Sequence, residues 1–210
     1  MIIAIHGQSG HGKDLLGSII QELLLEQKGE SWQIRKFAAK VKQVASLLTN
    51  IPVERFEDQD FKKSELGDEW SKFNLLHFTD KTMTVREFLQ RLGTDALRNK
   101  LHKNVWVNAL MSDYTRLTAT WDTDGNTTST VYPNWIITDL RFENELMAVK
   151  SRRSIVIKID RPDFENNVPK HPSETALKHF KAWDAIIVND GTVEDLRLAA
   201  QKVLMYYNLL

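Results

Sequence analysis

Eight residues, Gly7-Gln8-Ser9-Gly10-His11-Gly12-Lys13-Asp14, join an apolar run at Ile2–Ile5 to a stretch whose apolar side chains recur at helical spacing. This junction constrains the chain more than any other feature. Ile2–Ile5 does not alternate polar with apolar, so it reads as a strand covered on both faces, the kind found in parallel sheets. Leu15, Leu16, Ile19, Ile20, Leu23 and Leu24 share one face of a helix over Lys13–Glu26. The connecting residues match G-x-x-x-x-G-K in the strand–loop–helix setting that the motif requires. Glycines let successive N–H groups curl inward, the helix N-terminus adds partial positive charge, and the lysine is a mobile cation. A plain Gly-rich turn would account for the glycines but not for the lysine at that spacing. Gly7, Ser9, Gly10, His11, Gly12, Lys13 and Asp14 are therefore the expected nucleotide-binding residues.

Asp14 stands where this motif usually carries the Ser or Thr whose hydroxyl meets magnesium. A carboxylate so close to phosphates is costly unless a cation lies between them, which makes Asp14 an expected Mg²⁺ ligand, directly or through water. The alternative is a first-turn Asp favoured by the helix dipole. A second carboxylate, Asp139, ends the apolar run Trp135–Thr138 at the carboxyl end of an expected buried strand, where a Walker-B aspartate belongs. Arg141, Asn144 and Glu145 crowd the residues that follow. Arg141 suits bidentate phosphate contact, so Lys13, Asp139 and Arg141 form the expected catalytic set.

Elsewhere, strand-length apolar runs alternate with helical stretches: strands at 34–37, 135–138, 155–159 and 185–188, helices at 38–48, 84–92, 105–117, 142–150 and 192–209. Thr192 is the expected N-cap of the last helix. Thr118–Tyr132, around Asp124-Gly125, reads as a protruding hairpin. The expected fold is α/β with a mostly parallel sheet flanked by helices. It is one domain over 1–210, with an acceptor-binding insertion at about 50–117 and a lid at about 160–182. Lys plus Arg and Asp plus Glu are equal at 28 each, which argues against a partner as basic-seeking as long nucleic acid. Cysteine is absent, excluding disulfides and thiolate metal sites. No run reaches the roughly 18 apolar residues of a membrane span, and a cytoplasmic protein is expected (host cytoplasm for a phage gene).

Three segments taken together resemble the bacteriophage deoxynucleoside monophosphate kinases. They are Gly12-Lys13-Asp14, the stretch Arg86–Arg98 containing Leu89-Gln90-Arg91-Leu92-Gly93-Thr94-Asp95, and Thr138-Asp139-Leu140-Arg141-Phe142-Glu143-Asn144-Glu145. His171-Pro172-Ser173-Glu174 and Asn189-Asp190-Gly191-Thr192 are similar to that family's lid and base-binding segments. The resemblance implies a P-loop kinase fold, ATP with Mg²⁺, a deoxynucleoside 5′-monophosphate acceptor and a homodimer. It implies acceptor contacts from Arg86, Gln90, Asp95 and Arg98, with Arg141, Asn144 and Glu145 beside the phosphoryl group. Phe37 and Trp106 are candidates to stack on the acceptor base, and Gly191 and Thr192 to lie against the donor's adenine. Arg91 and Arg98 share a face if the helix runs on through Gly93. One of Arg152, Arg153 and Arg161 would close a lid. The alternatives are a kinase of the dephospho-coenzyme A or phosphomevalonate type, or a nucleotide-dependent protein-binding switch.

Overall fold

A computed structural model describes residues 1–71, 82–121, 123–124, 127–162 and 176–210. The chain forms two compact units, Met1–Phe37 with Leu110–Leu210, and Ala38–Ala109.

The first unit is built on five strands: β1 (Ile2–His6), β2 (Gln33–Arg35), β5 (Trp135–Leu140), β6 (Ser154–Asp160) and β7 (Ala185–Val188). They run in the order β2-β5-β1-β6-β7, and every neighbouring pair is parallel. A parallel sheet needs crossovers that cover its faces, and here α1 (Lys13–Lys28), α6 (Glu143–Lys150) and α7 (Val193–Tyr206) supply helices. All five residues of β1 are buried, as its unbroken apolar pattern requires. Ile3, Ile5, Leu16, Ile20, Leu24, Ile136, Ile157 and Leu204 join in one core, each worth about 1.5–3 kcal/mol of burial. The expected hairpin is present as β3 (Thr118–Trp121) against β4 (Thr127–Val131), antiparallel and apart from the main sheet.

The β1–β5 pairing contains an irregularity. Ala4 lies opposite Ile137, but His6 lies opposite Leu140, so β5 carries one residue more than β1 over this interval. The extra residue falls at Thr138-Asp139, and bulges of this kind re-aim side chains at the rims of sites.

The second unit holds most of α2 (Phe37–Thr49), α3 (Asp68–Ser71), α4 (Val85–Gln90) and most of α5 (Val105–Met111). Its core gathers Ala45, Phe56, Val85 and Phe88. Thr84 caps α4 by accepting from the Glu87 N–H. The helix expected over Thr84–Leu92 does not stop. Beyond Gln90 it continues as a π-wound stretch, Arg91–Leu101. The helix expected over 105–117 ends instead at Met111, where Ser112 and Asp113 have side chains that compete with the helical backbone. Among the described residues no helix is long and apolar enough to cross a membrane.

Candidate functional site

The glycine loop leaves the carboxyl end of β1, the central strand, where the sheet order reverses and ligands of α/β proteins collect. Gly10 and Gly12 have φ of 84° and 94°, a region where a Cβ would be strained. Gly7 is required by close approach: a Cβ there would lie 2.6 Å from the Ile159 carbonyl oxygen. One on Gly12 would lie 2.7 Å from Asn189 Nδ2. The ends of β6 and β7 thus bracket the loop. Asn189 donates its side-chain amide to the His11 carbonyl at 3.0 Å and its backbone N–H to the Asp160 carbonyl at 2.7 Å. His11 is buried, with Nδ1 3.4 Å from the Ile159 carbonyl oxygen and 3.5 Å from Asp160 Oδ1. Lys158 donates to Asp160 Oδ2 at 2.8 Å. That hydrogen bond, against partial burial and helped by the charges of Lys158 and His11, holds the Asp160 carboxyl below the ordinary carboxylate range.

Lys13 follows the loop on the first turn of α1, and its ammonium donates back to the Gln8 carbonyl at 2.7 Å. Asp14 is exposed. Its Oδ1 accepts from Thr138 Oγ1 at 2.6 Å and pairs with Lys36 Nζ at 2.8 Å. Burial pushes this carboxyl up, but the hydrogen bonds from Lys36 and Thr138, with the charges of Lys36 and Lys13, prevail and leave it below its ordinary value. Asp139 is only 9% exposed, and its Oδ1 accepts from the Phe37 N–H at 2.9 Å, where α2 begins. The two carboxylates are therefore tied to one strand end through adjacent residues, Asp14 by the Thr138 hydroxyl and Asp139 directly. Thr138 and Asn189 open two of the segments that carry the resemblance, but their bonds to Asp14 and to the glycine loop were not expected, and Lys36 has no motif to announce it. The only signal for these contacts is position, since each residue sits at the carboxyl end of a parallel strand.

Arg141 is half-buried. Its N–H and that of Phe142 donate to Glu145 Oε2 at 2.8 and 3.0 Å. Glu145 is buried, so its carboxylate closes the first turn of α6 and fixes the backbone leaving Asp139. Asn144 lies on the same turn, half-buried. Gly191 and Thr192 are exposed at the start of α7. Thr192 is the N-cap, its hydroxyl accepting from the Asp195 N–H at 3.2 Å while Asp195 Oδ2 takes the Thr192 N–H at 2.8 Å. The Phe37 ring is 3% exposed.

Within the second unit, Arg86, Gln90 and Asp95 are exposed, and Arg86 Nη2 donates to Gln59 Oε1 at 3.3 Å. Trp106 is buried, and its indole N–H donates to the Gly93 carbonyl at 2.7 Å. The expected common face of Arg91 and Arg98 does not form. Arg91 is exposed and paired with Glu87 at 2.7 Å, whereas Arg98 is buried. The wider π winding turns each residue through less than the roughly 100° of an α-helix, so a spacing of seven no longer returns to one face. Arg152 and Arg153 precede β6 and Arg161 follows it. A seven-residue strand spans about 20 Å, so only Arg161 stands at the same end of the sheet as the glycine loop. His171, Glu174 and most of the expected lid lie outside the described residues.

Comparison with known proteins points to one family. Residues 20–199 match the family model described as deoxynucleotide monophosphate kinase. A protein of Acanthamoeba polyphaga mimivirus bearing the same family name is 28% identical over 202 residues, covering 93% of this chain and 91% of its own. The deoxynucleotide monophosphate kinase of Enterobacteria phage T4 is 29% identical over 113 residues, 54% of this chain and 42% of the phage protein. That of Escherichia phage RB69 is 28% identical over 123 residues, 59% and 46% of the two chains. The chain matches less than half the length of each phage relative. Some 86% of its residues fall within the family match (180 of 210), and the chain belongs to the deoxynucleotide monophosphate kinase family.

Proposed function

We propose that the chain transfers the γ-phosphoryl group of ATP, bound with Mg²⁺, to a deoxynucleoside 5′-monophosphate, giving the diphosphate and ADP. The observation that carries this reading is the glycine loop at the end of β1, leading into Lys13 and into Asp14, which Thr138 ties to the strand end that carries Asp139. The donor set fits magnesium, a hard cation that takes oxygen ligands and is commonly bound by one or two carboxylates plus substrate phosphates and water. When bound, the ion would neutralise charge developing on the phosphoryl oxygens.

The chain's own residues do the rest. Backbone amides from Gly7 to Gly12, with Ser9 and His11 among them, cradle the donor phosphates. Lys13 turns from the Gln8 carbonyl to the β- and γ-phosphates. Asp14 and Asp139 would hold the ion, and Gly191 and Thr192 would lie beside the adenine. Arg141 grips the phosphoryl group in flight, its backbone fixed by Glu145 and its neighbour Asn144 within reach of the same phosphate. Acceptor recognition is assigned to Arg86, Gln90, Asp95 and Arg98, and Phe37 and Trp106 are the candidates to stack on the acceptor base. The acceptor phosphate is already anionic near neutral pH, so no general base is required. Positioning and electrostatics supply the rate.

The test is a coupled assay of ADP release with dGMP, dTMP, dCMP and dAMP, products identified by chromatography, beside dephospho-coenzyme A and phosphomevalonate. Diphosphate formation from at least one deoxynucleotide is expected, at rates that differ among the bases because a mismatched edge leaves buried polar groups without partners. Turnover of another acceptor with none from the four deoxynucleotides would overturn the reading.

A further inference from the structure

We propose that Lys36 is a built-in counter-cation for Asp14, holding the place of the divalent metal until the metal arrives. The inference rests on the assignment of Asp14 to the metal made above, and goes beyond it. Asp14 Oδ1 already receives two donors, the Lys36 ammonium at 2.8 Å and the Thr138 hydroxyl at 2.6 Å. Lys36 is not a wandering surface lysine: its side chain is 26% exposed, and the next residue, Phe37, donates its N–H to Asp139 Oδ1 at 2.9 Å. Two consecutive residues at the β2–α2 corner therefore engage both carboxylates, one through a side chain and one through the backbone.

The chemistry follows from charge. Asp14 directly follows Lys13, on the first turn of the helix that the phosphate-binding loop feeds. An uncompensated carboxylate there would repel the incoming phosphates. Lys36 cancels that charge in the absence of metal. An ammonium and a divalent cation compete for the same oxygen, and the divalent ion, with twice the charge and ligands from the nucleotide as well, displaces it. Once displaced, Lys36 no longer bears on nucleotide affinity through Asp14.

The experiment measures the ADP dissociation constant by calorimetry in two arms, EDTA and saturating Mg²⁺, for wild type, Lys36→Met, Lys36→Arg and Asp14→Asn. Circular dichroism confirms that each variant is folded. Lys36→Met is expected to weaken binding about three- to fivefold in EDTA, the upper end for a partly exposed ion pair, and to leave the magnesium arm within about twofold of wild type. Lys36→Arg keeps the charge and should behave as wild type in both arms. Equal weakening in both arms would make Lys36 a direct phosphate ligand or a structural prop, and no weakening in EDTA would deny it any role toward Asp14. Either result overturns the proposal. Asp14→Asn separates the levels: if magnesium still strengthens ADP binding to this variant as it does to wild type, the metal assignment itself falls, and the proposal with it.

Discussion

The side-chain amide of Asn189, just beyond β7, donates to the main-chain carbonyl of His11 in the glycine loop, at 3.0 Å across 178 residues of sequence. The loop is thereby hung from the far edge of the sheet as well as from its own strand. Asn189→Ala removes this tie without touching a phosphate-facing group. A neutral hydrogen bond has a net worth of about 0.5–1.5 kcal/mol, so ADP should bind about two- to tenfold more weakly, with kcat changed less than KM for ATP. Calorimetry and steady-state kinetics check the split.

Lys13 sits on the first turn of α1 with its ammonium folded back to Gln8. Lys13→Ala should leave a folded protein whose kcat falls by at least about 10²-fold, because the lost cation acts most strongly on charge present in the transition state. A variant that keeps its circular dichroism spectrum and more than about a tenth of wild-type kcat would refute the role of this loop.

Gly17 lets α1 lie against β5. A Cβ on Gly17 would collide with Thr138 Cγ2, the methyl of the residue whose hydroxyl holds Asp14. Gly17→Ala should cost about 1–3 kcal/mol as an overpacked core change. Thr138→Ser deletes that methyl and keeps the hydroxyl, so the double variant should recover much of the loss. Urea denaturation of all four members of the cycle gives the coupling energy, and additive costs would mean the two side chains do not meet.

Lys158 lowers the Asp160 carboxyl through its hydrogen bond, with partial burial opposing. A carboxyl lowered in the folded state adds stability that is present above its unfolded value, near pH 4, and is lost as pH falls through the folded value. Lys158→Ala returns the folded value toward the unfolded one, so the variant should lose less stability than wild type between pH 7 and pH 3. Urea midpoints at the two pH values, compared for both proteins, measure the difference. A parallel acid limb in the two would show that Lys158 does not control Asp160.

What the sequence disclosed was local. Strand β1, the loop and α1 are consecutive and each carries its own pattern, so Gly7–Asp14 could be placed without knowing the fold. Asp139 was legible because an apolar run ended on it, and Thr192 because a cap is decided by the next three residues. What Lys36 and Asn189 touch was not legible. Their partners, Asp14 and His11, are brought to them by the parallel order of the strands, and neither residue type is unusual where it stands. The fate of Arg98 depended on helix winding rather than on composition. The same seven-residue spacing that would align it with Arg91 on an α-helix separates the two on a π-wound one.

The extra residue of β5 changes how insertions and deletions in this strand are to be read. Neighbouring side chains of a strand point to opposite faces, and Thr138 reaches α1 at Asp14 while Asp139 reaches the start of α2 at Phe37. Both contacts lie where β5 falls out of step with β1, between the Ala4–Ile137 and His6–Leu140 pairings. A single-residue deletion between Trp135 and Thr138 would therefore act as a change of parity. It would exchange the faces served by the hydroxyl and the carboxylate while leaving the strand's hydrophobicity almost untouched. A relative with a one-residue gap here has either moved its acid to the neighbouring position or lost the pairing that holds Asp14.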